Sequence, residues 1–268
     1  MGHNVRMARI SKLAALALGA GLAGAVVALE RKRPLRRTTA PVIPRTVHNV
    51  VMGIACAAVI EAVEKPLTGR IAERNAERGR GLAGLMPWPL KALTTLAVMD
   101  YTFYLWHVAT HKVPVLWRFH RVHHVDPDLD ASTAIRFHFA DMLVSLPWRL
   151  LQVRLSGAGL RGLALWRAFF NASILFHHAN LRLPEGWDRR LSWLLTTPEM
   201  HGIHHSRVRE ERDSNWTSGI SVWDRLHGTF RDRPAQDELA IGVMSGEAEE
   251  TASLPVSIAA PFSDRTGQ

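Results

Sequence analysis

His-x-x-His-His is written twice in this chain, as HRVHH at residues 120–124 and HGIHH at 201–205. With 14 histidines in 268 residues, chance supplies such a triplet about 0.04 times per chain, so two copies need a physical cause. On a helix, positions i, i+3 and i+4 share one face, and each triplet aims three imidazoles at one point. Two further pairs, His107 with His111 in HVATH and His177 with His178 in FHHAN, raise the clustered histidines to ten of the 14. Any fold of this chain has to find a place for these donors. His3, His48 and His227 stand apart and read as ordinary hydrogen-bonded histidines.

Hydropathy sets the surroundings. Hydrophobic residues are 47% and charged residues 21% of a chain whose mean hydropathy is −0.02, long enough for one large domain or two small ones. The apolar residues are concentrated in runs. Residues 1–83 hold 14 Lys/Arg against 5 Asp/Glu, and residues 84–268 hold 19 against 19, so the net charge of +9 belongs to the first third. These basic residues flank apolar runs and do not interleave with stacking aromatics, which points to a membrane surface and away from nucleic acid. The single cysteine, Cys56, excludes a disulfide framework, a cysteine-ligated zinc finger and an iron–sulfur cluster.

The run from Leu13 to Leu29 is just long enough to cross the hydrocarbon core, and the ERKRPLRR directly after it is a cytoplasmic flank by the positive-inside rule. Arg6, Arg9 and Lys12 before it also fit the basic start of a signal peptide. A second run, Thr46 to Ile60, is short for a span unless Glu61 and Glu64 face other helices. A third, Gly81 to Trp106, is interrupted by Pro87, Pro89, Lys91 and Asp100 and leads into the first histidines. Met142 to Trp148 and Gly162 to Leu175, joined by the Gly-rich RLSGAGLRG, predict a helical hairpin that dips into the bilayer. No strand alternation is long enough for a sheet. The expected fold is all-α, an integral membrane helical bundle with a cytoplasmic histidine-rich helical cap. Its parts are N-terminal membrane helices and basic loops over 1–83, a histidine-bearing domain over 84–232 and a weakly ordered tail over 233–268.

Neutral imidazole suits iron, copper, zinc and nickel. A structural zinc needs four ligands, fewer than the histidines offer, and HVATH lacks the glutamate of the zinc hydrolase motif. A pair of irons that activates O₂ is the reading that uses all the donors. The alternatives from other classes are a membrane metal-ion transport or storage protein with multi-His sites, and a bis-His haem electron carrier.

Over roughly residues 84–232 the sequence resembles the fatty acid hydroxylase and sterol desaturase superfamily of integral membrane di-iron oxygenases. The resemblance is carried by DYTFYLWHVATH from Asp100, LWRFHRVHH, RFH at 136–138, His178 with Asn180, HGIHHS, DSN at 213–215 and WDRLHGT at 223–229. Val108, Thr217 and His227 depart from the usual Arg, Gly and Phe, and none of these removes a ligand. The resemblance implies His107, His111, His120, His123, His124, His178, His201, His204 and His205 as ligands of two iron ions. It implies Asp100, Asp141, His177, Asn180, Asp213, Asn215 and Asp224 as residues that orient those rings.

It further implies an enzyme that hydroxylates or desaturates an unactivated C–H of a lipid substrate, whether fatty acyl, sterol-like or another isoprenoid. O₂ is the oxidant, and two electrons come from an external donor, a ferredoxin or cytochrome b5-type protein with its reductase. The histidine boxes would lie on the cytoplasmic side.

Overall fold

The structure is a computed structural model that describes residues 2–87, 90–243 and 253–263, with side chains from Ala17 onward. Pro89, the side chains of His3, Arg6, Arg9 and Lys12, and the tail over 244–252 and 264–268 lie outside the described residues. The helices run in the order α1 (Gly2–Lys32), α2 (Val42–Val59), α3 (Lys65–Arg78), α4 (Leu90–Lys112), α5 (Pro114–His124), α6 (Phe139–Val144), α7 (Leu146–Ser156), α8 (Leu160–His178), α9 (Trp187–Leu191), α10 (Pro198–His204), α11 (Arg209–Arg212), α12 (Val222–Leu226) and α13 (Leu254–Ala259). Among the described residues there are only isolated β-bridges. The chain is an all-α protein, as its sequence predicts.

The helix α2 shows why this packing suits a membrane. Its buried residues are Arg45, Asn49, Met52 and Cys56, one stripe at three- and four-residue spacing. Its outward residues include Ile43, Val47 and Ile54, at 76%, 57% and 64% exposure. Polar inside and apolar outside is the reverse of a soluble protein's surface helix. The helical run Val42–Leu85 has mean hydropathy 1.7 over its most apolar 18-residue window, of which 17% is buried, and is long and apolar enough to cross a bilayer.

After Val59 the helix continues through a π turn, Ile60–Glu64, into α3. A π turn inserts one extra residue and so rotates the remainder of the helix about its axis. Here Glu64 turns inward, where it accepts hydrogen bonds from Arg149 at 3.0 Å and Arg167 at 3.1 Å. Glu61 stays exposed and pairs with Lys65. Of the two acidic residues that made the second run short, Glu64 faces other helices as the sequence required, and Glu61 does not. α3 ends at Gly79 in the left-handed conformation, φ 56°.

The predicted hairpin is present as α6–α7 and α8, turning at Gly157. Its apex lies against the α3–α4 connection so closely that a Cβ on Gly81 would stand 2.3 Å from the Gly157 nitrogen. Ala72, Met99, Val153, Ala158, Leu163 and Trp166 form the core between α3, α4, α7 and α8.

On the histidine side, charged groups do the fastening. Arg45 donates to Asp126 at 2.9 Å and also pairs with Asp130. Asn49 donates to Asp126 at 2.9 Å and accepts from Arg136 at 2.9 Å. Asp128 accepts the backbone N–H groups of Thr39 and Ala40. Glu30, at the end of α1, accepts from the N–H groups of Ala131 and Asn180.

The fold corrects one expectation. The basic residues between α1 and α2 are not all membrane flanks: Arg36 is buried and donates to the Pro198 carbonyl at 3.2 Å, because the segment crosses beneath the second histidine box. In the C-terminal tail, residues 254–262 are helical. α13 and the turn after it cover α5, with Arg121 donating to the Ala260 carbonyl at 3.0 Å and Arg118 to that of Ser263 at 2.9 Å. The apolar run LPVSIAAPF gives this stretch a face to bury, which averaging over residues 233–268 conceals.

Replacing one partner of a buried ion pair strands the other charge. Arg45→Ala is expected to lower stability by about 3–5 kcal/mol, measured by thermal unfolding of the detergent-solubilised protein against wild type.

Candidate metal centre

Four helices converge on one buried space. α4 brings His107 and His111 one turn apart; α5, opened by Pro114, brings His120, His123 and His124; α8 ends on His177 and His178. α10 starts at Pro198, with Thr197 as its N-cap accepting from the Met200 N–H, and runs only far enough to present His201, His204 and the capping His205. His111 is half-buried and the other nine rings are buried, at 5% exposure or less.

The rings fall into two groups. Ligand-capable nitrogens of His107, His111, His120, His124 and His204 lie within 4.8 Å of one another, as do those of His123, His178, His201 and His205. α5 and α10 each serve both groups, since i and i+4 point one way and the third histidine of the triplet the other. The groups adjoin: His124 and His205 stack with ring centroids 4.2 Å apart. All nine histidines implied by the resemblance are brought together. His177 packs on His201, with centroids 4.0 Å apart, and belongs to neither group.

Hydrogen bonds fix the tautomers of four rings. His107 Nδ1 donates to the Trp216 carbonyl at 2.6 Å, His204 Nδ1 to Ser214 at 2.9 Å, His123 Nδ1 to Arg136 at 3.1 Å and His178 Nδ1 to Ile174 at 2.7 Å. A carbonyl only accepts, so each Nδ1 carries the proton and each Nε2 of a neutral ring is a bare lone pair. Those lone pairs face one another: His107 and His204 Nε2 are 3.1 Å apart, and His123 and His178 Nε2 are 3.0 Å apart. His201 Nε2 stands 3.0 Å from His178 Nε2 and 3.1 Å from His205 Nε2. Burial first, then neighbouring imidazoles, pushes His120, His124, His201 and His205 well below the ordinary histidine range. Protonation is therefore disfavoured as a way of relieving these contacts. Both nitrogens of His111, His120 and His124 are buried with no hydrogen bond among the described residues.

The residues expected to orient the rings act one step further away. None of Asp100, Asp141, Asn180, Asp213, Asn215 and Asp224 bonds a histidine of either group; the acceptors are backbone carbonyls. Asp224 accepts the N–H groups of Trp216 at 2.9 Å and Thr217 at 3.0 Å, which aims the Trp216 carbonyl at His107. Asn215, at φ 50°, donates to the carbonyls of Met200 and Arg231, both at 2.9 Å, and so shapes the loop that offers the Ser214 carbonyl to His204. Asp100 holds the same loop through the Ile220 N–H and the Trp223 indole. Asn180 pairs with the Arg36 backbone in both directions. Asp213 is bound by Lys112 at 2.6 Å at the surface. Asp141 lines a cavity instead.

Sequence reasoning did not single out three aromatic residues. Phe137 stacks on His123 with centroids 4.2 Å apart and planes within 8°, and Trp117 and Trp216 pack against His111 at 4.8 and 4.7 Å. The available signal was their place within or beside the histidine motifs.

A cavity of about 350 Å³ opens from these rings. His107, His120, His123, His178 and His201 form one end, and Phe103, Trp106, Phe137, Trp166, Phe170 and Ile174 form the walls. Gly53, Cys56 and Ala57 of α2 and Ile60 of the π turn line the side, and Glu61, Glu64, Lys65, Arg149 and Arg167 lie at the far end.

Comparison with known proteins agrees with this geometry. The fatty acid hydroxylase family model matches residues 92–229. The chain is 31% identical over 179 residues to an ornithine lipid hydroxylase of Rhizobium tropici, covering 66% of this chain and 52% of that one. It is 29% identical over 147 residues to the alkylglycerol monooxygenase of Xenopus tropicalis, covering 54% and 32%. It is 28% identical over 162 residues to the cholesterol 25-hydroxylase of Rattus norvegicus, covering 56% and 50%. The chain thus spans about a third to about a half of the length of these curated relatives. No solved structure matches it.

The Asp224 carboxylate also accepts from the hydroxyls of Thr217 and Thr229, at 2.6 and 2.7 Å, and is fully buried. Asp224→Ala leaves these donors unsatisfied and is expected to cost about 3 kcal/mol or more, with Asp224→Asn costing less. Denaturation midpoints of the two variants against wild type give the check.

Proposed function

The chain belongs to the fatty acid hydroxylase family, and on that premise we propose that it is a membrane-bound non-haem di-iron oxygenase acting on a lipid. The observation that carries this reading is the facing of bare imidazole nitrogens, His123 against His178 at 3.0 Å and His107 against His204 at 3.1 Å, in a buried space. Two lone pairs at that separation repel unless a cation lies between them. Adjacent ligands at right angles around one ion, with metal–nitrogen bonds of roughly 2.1 Å, stand about 3.0 Å apart. The donor set is all nitrogen and borderline in softness, which suits iron.

His107, His111, His120, His124 and His204 would hold one iron, and His123, His178, His201 and His205 the other. Bound there, the irons supply the reductive activation of O₂ that oxidises an unactivated C–H bond. The protein does the rest. The Trp216, Ser214, Arg136 and Ile174 carbonyls keep four rings in the ligating tautomer and orientation. Phe103, Trp106, Phe137 and Phe170 exclude water and hold a hydrocarbon chain against the histidines.

In a hydroxylation, one oxygen atom enters the lipid, and the other leaves as water with two electrons and two protons taken up. In a desaturation, two hydrogens leave the lipid and both oxygen atoms become water. The electrons come from a separate donor, a ferredoxin or cytochrome b5-type protein with its reductase. The relatives are named for ornithine lipid, alkylglycerol and cholesterol, which supports a lipid substrate. The aromatic cavity favours this reading over metal transport, which needs a polar path.

We place the histidines on the cytoplasmic side. The basic segment 31–37 is held on their face of the molecule by Glu30, Arg36 and Asn180, and basic loops stay in the cytoplasm.

Purified wild type is expected to carry about two irons per chain, and His123→Ala and His204→Ala to lose most of that iron, by inductively coupled plasma mass spectrometry. Lipid extracts of expressing cells should contain species heavier by one oxygen or lighter by two hydrogens, absent with either variant. Full iron in either variant overturns the assignment.

A further inference from the structure

In the cavity, charge is balanced and hydrogen bonding is not. Glu61, Glu64 and Asp141 line it against Lys65, Arg149 and Arg167. All but Asp141 are paired at the far end: Glu61 with Lys65, and Glu64 with Arg149 at 3.0 Å and Arg167 at 3.1 Å. Arg149 also donates from Nε to Ser145 at 3.0 Å and turns Nη2 to the Met142 sulfur at 3.7 Å. Asp141 is 5% exposed, and its carboxyl group makes no hydrogen bond or ion pair among the described residues. A buried polar group without a partner costs free energy, and folded proteins ordinarily avoid it.

The backbone under Asp141 is fixed. Its N–H donates to the His138 carbonyl and its carbonyl accepts from Ser145, both at 2.9 Å, and His138 caps the helix by accepting from Ala140 at 3.1 Å. The neighbouring Cys56 thiol is already spent on the Phe137 carbonyl at 3.1 Å. The chain on either side gives the place of the carboxyl group in the cavity. Phe137, four residues earlier, stacks on His123, and Met142, the next residue, meets Arg149. Asp141 thus belongs to the stretch between the histidines and the charged end, where Phe103, Trp106, Trp166 and Phe170 supply apolar wall.

We infer that Asp141 binds the polar group of the lipid, a neutral hydrogen-bond donor that is a hydroxyl or an amide, and so holds the adjoining hydrocarbon toward the histidines. This rests on the proposed lipid oxidation and adds its substrate class. The charges lining the cavity already cancel, so an ionic ligand is not called for; the carboxyl group lacks a donor. An ionised carboxylate only accepts, and a protonated one both donates and accepts. A hydroxyl or an amide satisfies either form, whereas an ether or a bare hydrocarbon gives the carboxylate nothing. A buried group left unpaired in this way discriminates strongly against the ligand that lacks its partner.

The test titrates the purified full chain, in phosphatidylcholine nanodiscs whose lipid donates no hydrogen bond, with hexadecan-1-ol, hexadecanamide and hexadecyl methyl ether. Binding is read by tryptophan fluorescence, since Trp106 and Trp166 stand in the cavity wall. At least one of the two donors is expected to bind about tenfold more tightly than the ether, and the tighter one identifies the hydroxyl or the amide. Asp141→Leu should bring that preference to under about twofold, weakening the donors without weakening the ether. Asp141→Asn, which still accepts through its amide oxygen, should keep an intermediate preference. Uptake of each probe by the bilayer cancels between wild type and variant. Because Asp141 gives up no bond within the protein, Asp141→Asn without probe should unfold no earlier than wild type. Equal binding of all three probes by wild type, equal loss of all three in Asp141→Leu, or a lowered unfolding midpoint in Asp141→Asn overturns the inference. Iron content read on the same samples separates the two proposals. Iron without donor preference leaves the oxygenase reading and removes this site; donor preference without iron does the reverse.

Discussion

Nitrogen lone pairs brought to 3 Å of one another inside a protein are an unfavourable contact that folding alone does not explain. Each of His107, His123, His178 and His204 has committed its one proton to a carbonyl, so none can relieve the contact by donating. Burial disfavours a second proton. A bound cation would make the arrangement favourable, and the helices that carry the rings are interlocked. α5 and α10 each give histidines to both groups, so neither group can be displaced without the other. The free energy of metal binding becomes folding free energy in such a case. The acidic residues Asp100 and Asp224 shape the 214–220 loop whose carbonyls set the tautomers.

α2 links the parts. At its start, Arg45 and Asn49 fasten the 126–136 loop, which carries the Arg136 carbonyl that orients His123. Along its middle, Gly53 and Cys56 leave room for the cavity, with the Cys56 thiol donating to the Phe137 carbonyl at 3.1 Å. At its end, the π turn delivers Glu64 to the two arginines. Arg45 and Asn49 of this helix face protein, and its most exposed residues, Ile43, Val47 and Ile54, are apolar, as suits a bilayer.

Much of this was legible in the chain. The spacing of HRVHH and HGIHH shows that each box sits on one helix, and the distance between the boxes requires distant helices to converge, but the triplets do not each aim at one point: His123 turns away from His120 and His124, and His204 from His201 and His205. RLSGAGLRG marks the hairpin turn, and Gly157 occupies it. The orienting contacts were not legible, because a backbone carbonyl has no residue identity: Trp216, Ser214, Arg136 and Ile174 act through atoms that every residue has. Asp224 and Asn215 stood out as motif residues, yet their partners are backbone groups, and only the folded loop shows that they steer carbonyls. Arg36 and Arg45 were read by charge as membrane flanks, since hydropathy does not distinguish a guanidinium in water from one buried against Pro198 or Asp126. The π turn is invisible for a related reason. Ile60 to Glu64 continues the helical pattern without a break, and the extra residue is known only by where Glu64 points.

On the proposed reading, the position of oxidation would depend on backbone geometry more than on side-chain choice. Arg167 and His178 both line the cavity and lie 11 residues apart on α8 with no proline between them. A helix holds its length at 1.5 Å per residue, so α8 sets about 16 Å between the polar end of the cavity and the histidines. Substitutions in the aromatic walls would change how tightly a hydrocarbon chain is held, whereas moving the site of oxidation along the lipid would require a residue added to or removed from the helix.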